Sequence, residues 1–149
     1  MTELDAVRGA NFSYGSVADV AALGQLQGAG AYRIGGVDSA AMADVNNSNT
    51  FAAWWMVVFY QLDTDPLRSL SLYDGLDTVL NGTPQTAVLN GFLVPSVAWV
   101  GSLGVVALEG DNTLTGDSLS FGGTPLADAQ NPVGNVFNGT HSYWGSAVS

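Results

Sequence analysis

Cysteine is absent from the 149 residues, so disulfides, thiolate nucleophiles and zinc–sulfur sites are all excluded. Lysine is absent as well, and only Arg8, Arg33 and Arg68 oppose thirteen acids, for a net charge of −10. A chain of that charge repels phosphate backbones and anionic membrane surfaces, which excludes nucleic acid as a partner. Charged residues make up 11% of the chain against 47% hydrophobic. Disordered chains have the opposite balance, so this one folds, with Ser, Thr, Asn, Gln and Gly carrying its solubility. The longest apolar run, residues 51–60, is too short to span a bilayer as a helix, so membrane insertion is not expected. No secretory leader pattern precedes Thr2-Glu3-Leu4-Asp5. Two alternatives follow, an exported chain whose leader has been removed or a cytoplasmic one.

What the chain does contain is turn chemistry. Asp outnumbers Glu eleven to two, and Asp favours turns and loops where Glu favours helices. Asp74-Gly75, Asn81-Gly82, Asn90-Gly91, Gly110-Asp111 and Asn138-Gly139 fall between apolar stretches. Such dipeptides supply the positive φ of tight hairpins. The length suits one domain. The expectation is a mainly β fold, an antiparallel, jelly-roll-like β-sandwich spanning residues 1–149, with one short amphipathic helix near the N-terminus.

That helix is expected at residues 17–27. Ser16 and Asp19 have the spacing of a capping box, Val17, Val20, Leu23 and Leu26 share a face, and Gly28 and Gly30 stop it. Residues 51–62 (FAAWWMVVFYQL) are continuously apolar and rich in aromatic and β-branched types, which suits a central strand buried on both faces. Val57 would then lie in the core. Alternation predicts strands at 68–73, with Leu70 and Leu72 inward, and at 117–121. Further strands are expected at 32–37, 86–94 and 97–108.

Little in the chain carries catalysis, and an enzyme is not expected. His141 is the only imidazole, in a polar segment without a nucleophile–acid context, and no G-x-S-x-G elbow, P-loop or dinucleotide fingerprint occurs. Asp-rich turns are the remaining chemistry. Glu109, Asp111 and Asp117 could gather oxygen ligands for calcium at one sheet edge, although the ordered D-x-D-x-D-G pattern is missing. Asp63-Thr64-Asp65 is a weaker candidate for the same ion. Turn capping explains both equally simply. Arg68, the only base between Asp38 and Ser149 apart from His141, is expected to pair with Asp63, Asp65 or Asp74. Trp54 and Trp55 point to opposite faces of a strand; one suits the core, and the other suits either the core of a second sheet or an exposed contact surface, core being favoured. Trp99, Tyr143 and Trp144 suit either a glycan-stacking or subunit-contact platform or ordinary rim packing.

Several segments together resemble a known bacterial module. They are Ala18-Asp19-Val20-Ala21-Ala22-Leu23, Gly28-Ala29-Gly30-Ala31-Tyr32, Ala53-Trp54-Trp55-Met56-Val57-Val58-Phe59-Tyr60 and Asp65-Pro66-Leu67-Arg68-Ser69-Leu70-Ser71-Leu72-Tyr73-Asp74-Gly75. Leu103-Gly104-Val105-Val106-Ala107-Leu108-Glu109-Gly110-Asp111, Leu114-Thr115-Gly116-Asp117-Ser118-Leu119-Ser120, Asn131-Pro132 and Asn135-Val136-Phe137-Asn138 continue the string in order. It is similar to the amino-terminal β-sandwich region of large secreted bacterial surface proteins that carry tandem DUF11-type stalk repeats. The resemblance covers about residues 17–138 and implies a secreted or cell-surface, adhesin-like structural role without catalytic residues. The segment 39–49 is longer than in that family. The strands flanking the string are short here, so the sandwich would lack edge strands, supplied by a neighbour or by further sequence.

The expected function is a non-enzymatic extracellular structural module, self-associating through its terminal segments, 2–13 and 143–149, into a filament. The alternative is a carbohydrate- or calcium-dependent ligand-binding β-sandwich that recognises surface glycans.

Overall fold

A computed structural model of the chain describes residues 2–8, 11–37, 51–77, 79, 82–108 and 110–148. Its elements in chain order are β1 (Thr2–Arg8), β2 (Asn11–Val17), α1 (Ala21–Gln27), β3 (Ser120–Phe121), β4 (Thr124–Pro125), β5 (Ser142–Tyr143) and β6 (Ser146–Ala147). The described chain is thus strand and coil with one short helix. The chain divides into two units, Met1–Thr50 with Trp55–Val100, and Phe51–Trp54 with Gly101–Ser149. The segment 39–49 and Asn81 lie outside the described residues.

In the first unit β1 and β2 pair antiparallel, from Thr2↔Val17 to Arg8↔Asn11, and no third strand joins them among the described residues. This pairing corrects the expected start of the helix. Ser16 and Val17 are opposite Glu3 and Thr2 in the ladder, so α1 begins at Ala21. Ser16 caps nothing. Val20 is the N-cap residue and makes no side-chain cap bond, while Asp19 Oδ1 accepts the Ala21 N–H at 2.9 Å. Asp side chains commonly close such short local turns.

The helix ends where the glycines predict. Gly28 adopts φ 63° and donates its N–H to the Gly24 carbonyl at 2.8 Å. Gly28→Ala is expected to cost about 1 kcal/mol, because a Cβ is disfavoured at positive φ; a thermal melt followed at 222 nm reads the loss. The Tyr32 hydroxyl and Gln27 Nε2 donate to the Gly28 and Ala31 carbonyls, fastening the following loop to the helix end. The apolar face of α1 packs on no sheet: Leu23 is exposed, and Leu26 is 87% exposed.

Residues 51–62 are irregular and exposed, so the central buried strand expected there is not formed. Trp54, Trp55 and Val57 are correspondingly exposed rather than core. The segments 32–37, 68–73, 86–94 and 97–108 are irregular too, and of 117–121 only β3 forms. The physical reason is partnership. A doubly buried strand needs a ladder on each side and apolar cover on each face. Across 51–77 and 84–108 the backbone bond between described residues is the turn Asp65 N–H to Leu62 carbonyl, at 3.0 Å. The Tyr73 hydroxyl adds a bond to the Asn90 carbonyl.

The second unit is built from tight hairpins. β3 pairs with β4 around Gly122 and Gly123, at φ 56° and 82°, the double positive φ that a two-residue hairpin turn demands. β5 pairs with β6 around Trp144 and Gly145. Between the hairpins runs an irregular loop that holds both buried residues of the described chain, Val136 at 7% and Asn138 at 8% exposure.

Candidate functional site

The side chains that converge most closely are polar and lie on the loop 128–142. Asp128 opens it. Its Oδ1 accepts the Gln130 and Asn131 N–H groups at 2.7 and 2.9 Å, and its Oδ2 accepts the Ser142 hydroxyl. Asn131 Nδ2 spans the loop, donating to the Val136 carbonyl at 2.9 Å and to Thr140 Oγ1 at 3.2 Å. Asn138 Nδ2 donates to the Gln130 carbonyl at 2.8 Å, while its Oδ1 accepts the Thr140 N–H at 2.9 Å and the Thr140 hydroxyl at 2.6 Å. Asn and Asp form such local side-chain-to-backbone bonds readily. This is a clasp that ties the loop to the start of β5.

The Asp128 carboxyl is held below its ordinary value of 3.8, chiefly by the Ser142 hydroxyl, then by the Asn131 amide, with burial opposing and the Gln130 amide adding least. A lowered folded-state pKa contributes stability that is complete above the ordinary aspartate range and lost as pH falls through the lowered value. Acidification below that range is therefore expected to lower the protection of the Gln130 and Asn131 amides, measured against their intrinsic exchange rates at each pH. In Asp128→Asn the acid step should vanish; a step that persists would place the titration elsewhere.

Of the three expected calcium ligands, Glu109 lies outside the described residues. Asp117 is bridged to Gly134 and Asn135, and its Oδ2 accepts the Phe137 N–H at 2.6 Å. Gly116 N–H donates to the Gly134 carbonyl at 2.6 Å, drawing the same two stretches together. Asp111 is exposed, and no bond links it to Asp117. Among the described residues no three His, Cys, Asp or Glu side chains gather where they could hold a metal ion. Two features of this crossing escape sequence reasoning. Gly110 runs so close to Phe137 that a Cβ there would lie 2.7 Å from the Phe137 carbonyl carbon. Asn135 Nδ2 donates to the Asn112 carbonyl at 3.1 Å, while its buried Oδ1 has no hydrogen-bond partner.

The remaining candidates are dispersed. Tyr143 and Trp144 meet edge to face, ring centroids 5.9 Å apart, and both are exposed. Trp99 is exposed in the other unit. His141 is exposed, and its carbonyl accepts the Val148 N–H at 3.3 Å. Arg68 makes no ion pair with Asp63, Asp65 or Asp74, which corrects the expected pairing. Exposure supplies the reason, since a long solvated side chain gains little from being fixed in one geometry. Among the described residues no helix is long and apolar enough to cross a membrane. No protein-family model, curated protein or solved structure matches the chain.

Proposed function

We propose that the chain is a non-enzymatic, adhesin-like structural module of the bacterial surface or extracellular space. In this reading it is a self-associating subunit whose β-sandwich is completed by strands of a neighbouring copy. The observation that carries the reading is the hairpin β1–β2, seven residues in each strand and joined by no third strand among the described residues. An isolated two-stranded sheet is marginal in water, and its open edges are templates for another strand. Proteins that stay monomeric blunt such edges, often with Lys, and this chain has none. A head-to-tail contact of this kind that does not close extends into a filament. The resemblance to the amino-terminal region of DUF11-type surface proteins supports the same role and location.

Sedimentation velocity on the full chain, from about 1 to 100 μM, with negative-stain imaging, tests the reading across the range where weak assembly becomes visible. Growing assemblies, lost on deletion of residues 1–12, are the expected result. A monomer at every concentration overturns it.

A second reading, calcium-dependent ligand binding, draws on Asn135 Oδ1, a buried oxygen without a partner on a residue bridged to Asp117. It requires a melting temperature that rises with millimolar Ca²⁺ and falls with EDTA. An unchanged melt removes it.

A further inference from the structure

The first unit carries an apolar arm that its own chain leaves uncovered. Val58, Phe59, Leu62 and Leu70 line an open groove of about 470 Å³. Asp63, Asp65 and Arg68 line the same groove. Tyr60 and Leu67 line it as well, and are 77% and 93% exposed. Taking ~200 Å² for a large aromatic side chain and somewhat less for an aliphatic one, residues 55–72 present on the order of 1,000 Å² of apolar surface. A soluble monomer rarely exposes a contiguous apolar patch above a few hundred Å². One side of a standard protein interface, by contrast, is about 800 Å². Summed along the segment, that exposure is comparable to one side of a standard interface, and the groove gathers part of it in one place.

Charge says what the other half is. Among the described residues Arg68 has no carboxylate partner, and Asp63 and Asp65 have no cationic one, although all three edge one groove within six residues of sequence. A contact related by a two-fold axis repeats every pairing, so that residue i meets residue j and j meets i. Two copies of this arm laid against each other set Arg68 of each against Asp63 and Asp65 of the other, two cations facing four carboxylates. Within residues 55–100 Arg68 is the only base. Desolvated at the centre of an apolar contact, such pairs hold register and orientation.

We propose that two copies of this chain associate through the groove of residues 58–70, in an isologous contact that buries Val58, Phe59 and Leu70 and pairs Arg68 with Asp63 and Asp65 across the two-fold axis. The proposal rests on the self-association reading and assigns it a second contact, distinct from the open-ended one at the terminal hairpin. The wild-type chain, Arg68→Glu and the triple reversal Asp63→Arg/Asp65→Arg/Arg68→Glu are compared by sedimentation, with far-UV circular dichroism on each. The single reversal is expected to weaken dimer formation at least tenfold with an unchanged spectrum, and the triple reversal to recover most of that loss. Val58→Asp, at an exposed position, should weaken it as strongly. Assembly indifferent to these changes, or a triple reversal that recovers nothing, overturns this contact while the terminal-hairpin reading stands. A wild-type chain that stays monomeric overturns both. If Val58→Asp unfolds the isolated chain, the arm belongs to its own core and the proposal fails.

Discussion

Gly110→Ala is expected to lower the stability of the second unit by about 3 kcal/mol, at or above the upper end of what overpacking costs. The added methyl would overlap the Phe137 carbonyl oxygen and sit 3.3 Å from the Phe137 Cβ. Two of the three nearest atoms are backbone, so no rotamer change relieves the clash. Phe137 also donates its own N–H to Asp117 Oδ2, so shifting the residue away disturbs that bond. A chemical-denaturation midpoint, with amide exchange at Phe137, measures the effect. Gly104→Ala, where a Cβ meets nothing within 4 Å, is the control and should change little. Equal behaviour of the two variants would show that the crossing at Gly110 is not held in solution.

The second large loss is expected from Asn138→Ala, on the order of 3 kcal/mol. The side chain is one of two buried in the described chain and makes three bonds, to the Gln130 carbonyl, the Thr140 N–H and the Thr140 hydroxyl. A net hydrogen bond contributes about 1 kcal/mol, and orphaning a buried partner costs more. The Thr140 hydroxyl has another acceptor in the Gln130 carbonyl at 2.8 Å, which limits the damage on that side. Asn138→Asp separates bonding from shape. It keeps the acceptor and loses the donor, so it should fall between wild type and Ala. A denaturation series that ranks Asp below Ala would mean the loop rejects charge rather than needing the bonds.

What could be read from the sequence follows the range of the interaction. Gly28 ends the helix and Gly122-Gly123 turns a hairpin as their residue types dictate, because positive φ is decided within one or two residues. The helix starts later than its capping pattern indicates because Ser16 has two options, capping α1 or pairing with Glu3, and the ladder takes it. Residues 51–62 carry strong β chemistry, but a strand is a property of a pair, and among the described residues no partner is hydrogen-bonded there. The candidate site divides in the same way. Asp117 is visible in the sequence as a candidate oxygen ligand, and in the structure it accepts a backbone amide twenty residues away. The clasp of Asp128, Asn131, Asn138 and Thr140 has no period to detect. Its one visible signal is the density of Asn, Asp and Thr between two turn glycines.

The bonds around Asn138 also bear on how the protein ages. An Asn followed by Gly is a weak point chemically, because the next peptide nitrogen can attack the side-chain amide, expel ammonia and leave an aspartyl or isoaspartyl residue; Asn is accordingly among the thermolabile residues. That attack requires the amide to swing toward the Gly139 nitrogen, and here Nδ2 and Oδ1 are both held by partners. Asn90 precedes Gly91 with its side chain bound to nothing among the described residues, its carbonyl alone being engaged by Tyr73. During long storage the mass gain of one deamidation should therefore appear in the peptide containing Asn90 before the one containing Asn138, which stays intact for as long as its loop stays folded.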